Sequence, residues 1–269
     1  LFNYLTSCNV VGALAGHMAG VKRIYGGIRN TRIEWVKMIA DRFIHNHVAT
    51  GSIYNCYSGA EYFSSQGYKP SRNIVIPNCF INISDPINRK DRDVKHIVTV
   101  GRFVPQKDYN TLIRTIANLK TLREDFVVDV VGYGVEEEHI RQWIKQLNVE
   151  EYIKIHIRPD NVQDIVRDAD IYLSTSIFEG TSNSIMEALN WSLPVVATDV
   201  GDNRHMVSDG LNGMLHPIGD DEGMAKSLAK LLDSTELRNR YGTNSNTTLR
   251  ENYTMELFEN RYTNLINQQ

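Results

Sequence analysis

Two carboxylates, Glu179 and Glu187, stand with seven residues between them. Between and around them run Gly180, Thr181, Ser182, Asn183 and Ser184, all small or polar. The stretch Ile171 to Asp199 reads as strand, tight turn, helix, strand, with Glu179 closing the loop after the first strand and Glu187 about two turns into the helix. A loop that ends a strand and opens a helix directs several free N–H groups at one point, which suits an anion. Small residues there let a ligand approach the backbone closely. Carboxylates repel an anion, so the two Glu suit hydroxyl groups on either side of the phosphates. A nucleotide-sugar, with ribose, diphosphate and sugar in line, has that form.

A second group of residues fits the same chemistry. The apolar run at 98–100 breaks at Gly101 and is followed by Arg102 and Lys107 before a helix. A strand that ends in glycine is where open α/β sheets place ligands. Arg102 offers a planar fork for phosphate oxygens and Lys107 a mobile point charge. Further on, Phe126 to Val131 is a buried-strand run that ends in Gly132-Tyr133-Gly134, and Arg158 follows the strand 152–157. By themselves Gly132 and Gly134 predict a tight turn, and Arg158 reads equally well as an exposed loop arginine.

These residues need a scaffold of alternating elements. The hydrophobic pattern predicts strands at 95–101, 126–131, 152–157, 170–174 and 194–198, with helices at 108–121, 136–147, 161–168 and 182–190 between them. The strands are continuous Val/Ile-rich runs, the mark of a parallel sheet covered on both faces. Three helices follow, at 220–233, 235–251 and 254–267. The first part predicts helices at 9–20, 31–48 and 59–66 and strands at 21–28, 52–57 and 73–77, a βαβ series entered in mid-pattern. Asn78 to Val94, with Pro86 and the cluster Arg89 to Asp93, predicts a linker. In the helix at 31–48, Ile33, Val36, Ile39, Phe43 and His47 share one side and are expected in a core.

Composition sets the outer bounds. With 269 residues, 42% hydrophobic and 23% charged, the chain is ordinary for a globular protein of one large or two modest domains. No apolar run approaches the roughly 20 residues that span a bilayer, and no signal peptide opens the chain. Cys8, Cys56 and Cys79 lack metal-ligand spacing and are expected as reduced, buried thiols of a cytoplasmic protein. No Asp-x-Asp pair is placed at a strand end, so neither a metal nor any other cofactor is expected. Residues 1–88 hold eight Lys/Arg and four Asp/Glu, within an overall charge of −3. That basic half fits a peripheral contact with the inner face of a membrane or a phosphorylated acceptor, and equally an ordinary solvated face. Nothing points to nucleic acid.

The stretch from Glu179 to Gly201, with its Glu-Gly pair, Glu187-Ala-Leu and Pro194 to Asp199, resembles the Glu-x7-Glu signature of family four retaining glycosyltransferases. Gly101-Arg102 with Lys107 is similar to that family's diphosphate-holding motif. The resemblance covers about residues 70–267 well and 1–70 loosely. It implies the GT-B fold: a doubly wound, parallel-sheet, Rossmann-like C-terminal domain at 89–253 that binds the nucleotide-sugar, a partial N-terminal Rossmann-like domain with its linker at 1–88 on the acceptor side, and a C-terminal helix at 254–269 that crosses back to it. It implies transfer of a sugar, with retention, from an NDP-sugar donor to a glycan or lipid-linked acceptor in polysaccharide or glycoconjugate assembly. Arg102, Lys107 and loop amides would hold the leaving diphosphate, Glu179 the donor-sugar hydroxyls and Glu187 the ribose. Gly132 and Gly134 would lie beside the nucleotide, and Arg158 near its base. The first half of the N-terminal domain is expected to be missing here, and this stretch alone to bind nucleotide without much transfer.

Some positions depart from the family. Ser192 stands where a helix-capping Gly is common and would carry some strain there or adopt another geometry. Thr181 replaces an aromatic, and Asp202 and His205 follow Gly201 where a second Gly and an acid are usual. Two other functions share the resemblance: a nucleotide-sugar epimerase on the same fold, which needs an acid/base set not found in the sequence, and a non-catalytic nucleotide-binding fragment.

Overall fold

The structure, a computed structural model, describes residues 1–29 and 33–267. It divides into two compact units: Leu1–Cys79 with the chain's last segment, from Met255, and Phe80–Thr254.

The first unit is a four-stranded parallel sheet in the order β1-β2-β3-β4. Its strands are β1 (Phe2–Tyr4), β2 (Tyr25–Ile28), β3 (Gly51–Tyr54) and β4 (Asn73–Val75). Between them lie α1 (Thr6–Met18), α2 (Trp35–His47) and α3 (Tyr57–Ser65). Strand β1 is only three residues long, too short to show any period, and its place is set by pairing with β2. Thr31 and Arg32, where the sequence pattern starts the second helix, lie outside the described residues.

Helix α2 corrects the expected core. Val36, Ile39 and Phe43 are 57%, 49% and 58% exposed, and the helix buries Asp41, Ile44 and His45 instead. The inward polar groups are satisfied in place. Asn9 Nδ2 and the Tyr68 hydroxyl donate to the two Asp41 oxygens at 3.1 and 2.9 Å, and His45 Nδ1 lies 2.8 Å from Ser52 Oγ. A hydrogen-bonded carboxylate and imidazole tolerate burial, so apolar periodicity pointed to the wrong side. The cysteines also differ from expectation: all three are free, but Cys8 is exposed and only Cys56 is buried.

The second unit is a six-stranded parallel sheet in the order β10-β9-β8-β5-β6-β7. Its elements are β5 (Lys95–Arg102), α4 (Tyr109–Lys120), β6 (Phe126–Tyr133), α5 (Glu137–Gln146), β7 (Ile153–Ile157), α6 (Val162–Asp168), β8 (Ile171–Ser174), α7 (Asn183–Asn190), β9 (Val195–Thr198), α8 (Asn203–Met206), β10 (Gly213–His216), α9 (Asp221–Leu232) and α10 (Thr235–Asn252). Alternate residues of each strand enter different cores. Ile97, Val128, Leu173 and Val196 pack with α4, α5 and α9, whereas Val98, Val131, Tyr172 and Val195 pack with α6, α7 and α10. That double burial is the reason the strands read as unbroken apolar runs. Edge strand β10 and the single turn α8 were not foreseen; each is four residues long and owes its form to its neighbours.

The polar stretch after Phe80 carries no helix or strand up to Val94, yet it is not a loose tether. It is strapped to the second unit by Arg89, whose guanidinium donates to the carbonyls of Arg167, Ala169, Trp191 and Ser192 at 2.5–2.9 Å. These are the orphan carbonyls at the C-terminal ends of α6 and α7, where a cation is favoured. Burial lowers the Arg89 pKa to about 10.

The last helix, α11 (Met255–Asn267), belongs to the first unit. Phe258, Tyr262 and Leu265 pack with Phe2, Tyr25, Ile53 and Ile76. Arg23 Nη1 donates to the Ile266 carbonyl at 2.9 Å and fixes its end. No described helix is long and apolar enough to cross a membrane.

Candidate functional site

The strand register brings the candidate residues to one edge of the second sheet. Gly101 pairs with Gly132, Arg102 with Tyr133, and Gly132 with Ile157, so three strands end side by side. A Cβ on Gly132 would overlap the Gly101 carbonyl oxygen, which explains the glycine there by close approach. Gly134 follows and sits equally tight against the Phe103 backbone. Arg158 comes directly after β7. Its N–H donates to the Gly132 carbonyl and its guanidinium carbon lies 4.2 Å from the centre of the Tyr133 ring, a cation–π contact. Arg102 is exposed, and among the described residues its side chain has no hydrogen-bond or ion-pair partner.

Beyond Arg102 the chain makes a short 3₁₀ turn, Pro105–Lys107, and enters α4 through Asp108. Asp108 has φ 46°, and its carboxylate caps the helix by accepting from the Thr111 N–H and hydroxyl. Thr175, just past β8, donates its hydroxyl toward the carbonyls of Lys107 and Asp108 at 2.9 and 3.0 Å. Gln106 adds two links, accepting from the Ile177 N–H and donating to the Phe178 carbonyl. The loop after β5 and the loop after β8 are thus tied together by backbone-directed bonds. The result is an ion pair across 72 residues of sequence: Lys107 Nζ lies 2.6 Å from Glu179 Oε1, with both side chains mostly buried.

Past Glu179, the loop Gly180 to Ser182 leads into α7. Ser182 is the helix N-cap, accepting from the Ile185 N–H, and is buried with Thr181. The Thr181 hydroxyl donates to Asp202. Ser184 hydrogen-bonds the Tyr172 phenol, which burial drives well above its ordinary pKa and which also feels the charges of Glu179 and Glu187. Asn183 is exposed. Gly201, at φ 53°, passes so close to the Glu179 carbonyl that a Cβ would overlap it. Glu187 is half-buried; burial raises its pKa, and no described side-chain partner offsets that cost. A desolvated carboxylate without a donor is an acceptor held open.

At the α7 end, the structure takes the first of the two geometries open to Ser192, the left-handed cap. Ser192 adopts φ 54°, with the Ser192 and Leu193 N–H groups donating to the Leu189 and Ala188 carbonyls. That is a Schellman cap with serine in the glycine position. Its hydroxyl accepts from the Ile87 N–H at 3.0 Å, which gives the side chain a use. Several positioning residues had no signal in the sequence: Thr175, Gln106, Tyr172 and Asn203. Asn203 is fully buried, donates to the Thr198 carbonyl and leaves its Oδ1 without a partner among the described residues. Their roles exist only once separate loops are folded together.

With this geometry in view, the relatives are informative. LpsE of Rhizobium meliloti, a lipopolysaccharide core biosynthesis glycosyltransferase, is 26% identical over 65% of this chain and 50% of its own length. A Campylobacter jejuni protein, N-acetylgalactosamine-N,N'-diacetylbacillosaminyl-diphospho-undecaprenol 4-alpha-N-acetylgalactosaminyltransferase, is 32% identical over 55% of this chain and 40% of its own. The chain therefore spans about half the length of these relatives or less. Among solved structures, Anabaena HepE in complex with UDP superposes with a TM-score of 0.86 at 18% identity, covering 98% of this chain and 78% of HepE. Staphylococcus aureus TarM superposes with a TM-score of 0.79 at 22% identity, covering 91% and 51%. The fold is GT-B. The family described as "Glycosyl transferases group 1" matches residues 81–248, the whole of the strap, the strand-end loops and α7, and the chain belongs to that family.

Proposed function

We propose that this chain carries the donor half of a retaining, family-four-type glycosyltransferase, and that the full protein moves a sugar from an NDP-sugar to a glycan or lipid-linked acceptor. The observation that carries the reading is the Lys107–Glu179 contact of 2.6 Å. It sets a cation for a phosphate and a carboxylate for sugar hydroxyls at one point, in front of the N-terminus of α7. HepE has been solved with UDP-glucose and TarM with UDP, which supports a nucleotide-sugar as the ligand. Glu187, half-buried and without a side-chain partner among the described residues, would accept the ribose hydroxyls; Gly132 and Gly134 would let the nucleotide approach the backbone, and Arg158 would lie near the base.

In the reaction, the bond from the sugar C1 to the diphosphate oxygen breaks and a bond from C1 to the acceptor hydroxyl oxygen forms on the same face. The acceptor proton passes to the departing diphosphate, giving the glycoside and a nucleoside diphosphate. Arg102, Lys107 and the α7 amides stabilise the negative charge that develops on the leaving group. Two cations and a helix N-terminus supply the positive field, so the site is proposed to work without a metal.

A thermal-shift screen over UDP, GDP, ADP and their glucose conjugates tests the reading. At 100 times Kd a ligand adds roughly 2.7 kcal/mol of stability. At least one nucleoside diphosphate should raise the melting point, and incubation with its sugar conjugate alone should leave the sugar's configuration unchanged. No stabilisation by any of them would remove the donor-site assignment, and epimerised sugar would replace transfer with isomerisation.

A further inference from the structure

Three side chains of the second unit that the donor reading does not use are aligned for nucleophilic chemistry. His216 ends the edge strand β10, Asp220 is the N-cap of α9, and Ser227 lies within α9. The turn at 217–219 folds the helix back so that the three meet. His216 Nδ1 lies 2.9 Å from Asp220 Oδ2, and His216 Nε2 lies 2.9 Å from Ser227 Oγ. The other Asp220 oxygen accepts from the Gly223 N–H at 3.0 Å. The helix cap thus fixes the carboxylate, and the carboxylate fixes the ring. An ionised carboxylate only accepts, so Nδ1 carries the imidazole proton and Nε2 of the neutral ring is left to accept from the Ser227 hydroxyl. The bonds from His216 and Gly223 hold the Asp220 carboxyl below its ordinary pKa, which keeps it ionised at neutral pH.

Hydroxyl, base and orienting acid stand in the order that nucleophilic catalysis requires. The helix cap needs only Asp220 and the Gly223 N–H; it does not account for a hydroxyl set on the far nitrogen of the ring. The His216 side chain is 13% exposed, whereas Ser227 is half-buried and reachable from the surface. In the connecting turn, Ile218 is 54% exposed and the space beside Gly219 is open, which leaves an apolar surface for a small acyl group. The N–H groups around Ser227 are spent on the helix, so the positive charges at hand on α9 are Lys226 and Lys230. Both are exposed, and neither has a hydrogen-bond or ion-pair partner among the described residues. Ammonium groups in water stabilise an oxyanion less than a preorganised N–H pair does, which favours esters with good leaving groups over amides. We propose that Ser227, His216 and Asp220 form an esterase-type site for short acyl esters, with Ser227 the nucleophile, His216 the general base and Asp220 its positioning residue. Ser227 Oγ bonds to the acyl carbon and passes its proton to His216 Nε2. The ester C–O bond breaks, the alcohol leaves with that proton, and water then releases the acid from Ser227. None of these residues belongs to the donor site, so the inference goes beyond that reading.

A fluorophosphonate probe and p-nitrophenyl acetate, applied to the 269-residue chain, test this. On the probe, the P–F bond breaks, fluoride leaves and Ser227 Oγ takes its place, so peptide mass spectrometry should find the label on Ser227. Ser227→Ala should abolish that label and the release of nitrophenol above the buffer rate. His216→Gln should slow labelling about 10²-fold or more, because the proton acceptor is lost. Asp220→Asn keeps an equally good N-cap for α9 but presents an N–H to Nδ1, which turns the ring to the wrong tautomer. It should slow labelling about tenfold or more while the melting temperature stays unchanged, a split that a purely structural role would not give. No label on Ser227, labelling at the wild-type rate in His216→Gln or Asp220→Asn, or labelling that excess UDP blocks would overturn the proposal.

Discussion

At the scale of single residues, the candidate site holds two differently prepared carboxylates. Glu179 is already paired with Lys107, whereas Glu187 is half-buried without a described partner. The pair means that Lys107 is held in place before any ligand arrives. Arg102→Ala, at an exposed side chain, should lower sugar transfer by the full-length enzyme by about 10²–10³-fold with little change in melting temperature, whereas Lys107→Ala should lower transfer similarly and also lower the melting temperature, because Glu179 is left buried without its cation. Turnover near wild type in both, measured on the full-length protein, would remove these cations from the mechanism. Glu187 makes a pH prediction. Burial raises its pKa, so the folded, ligand-free chain holds the Glu187 proton more tightly than the unfolded chain does, and that contribution to stability is lost as pH rises through the raised value. Ribose hydroxyls would stabilise the ionised form, so nucleotide affinity should weaken as pH falls through the same value. Glu187→Gln should bind nucleotide less well, flatten that profile in calorimetry, and melt no lower than wild type at neutral pH. The types and spacing of both carboxylates and both cations were legible in the sequence. That one carboxylate is paired and the other bare was not, because it depends on loops 72 residues apart.

At the scale of elements, the strand ends carry the site and glycine sets their spacing. The register of β5, β6 and β7 follows from apolar runs visible in the sequence, so the alignment of Gly101, Gly132 and Arg158 was half-legible from strand lengths alone. The polar strap after Phe80 was not. Its composition reads as a linker, and only the fold shows that Arg89 caps α6 and α7. Arg89→Ala should therefore destabilise the second unit by about 1–3 kcal/mol, since buried helix-end carbonyls lose their donor. Chemical denaturation followed by far-UV circular dichroism would check this, and an unchanged midpoint would show that water replaces the guanidinium at no cost. The outward face of α2 fails for the opposite reason. Its apolar stripe is exposed, because Asp41 and His45 are satisfied by hydrogen bonds that side-chain periodicity does not encode.

At the scale of the molecule, each unit has its own parallel sheet and its own core. The alternation of strands and helices made both sheets legible, apart from the three- and four-residue edge strands, which hold no periodic signal. The candidate donor groups Arg102, Lys107, Glu179 and Glu187 all lie in the second unit, whose loops are set by its own strands. Nucleotide binding by this chain should consequently survive EDTA. A loss of affinity on chelation that magnesium or manganese restores would show that a metal completes the site.

The central claim is the division of labour between the two carboxylates, and calorimetry with UDP and UDP-glucose on wild type, Glu179→Ala and Glu187→Ala tests it most directly. If Glu187 holds ribose and Glu179 the donor sugar, Glu187→Ala weakens both ligands and Glu179→Ala weakens UDP-glucose alone. Equal losses for both ligands in both variants would contradict the assignment.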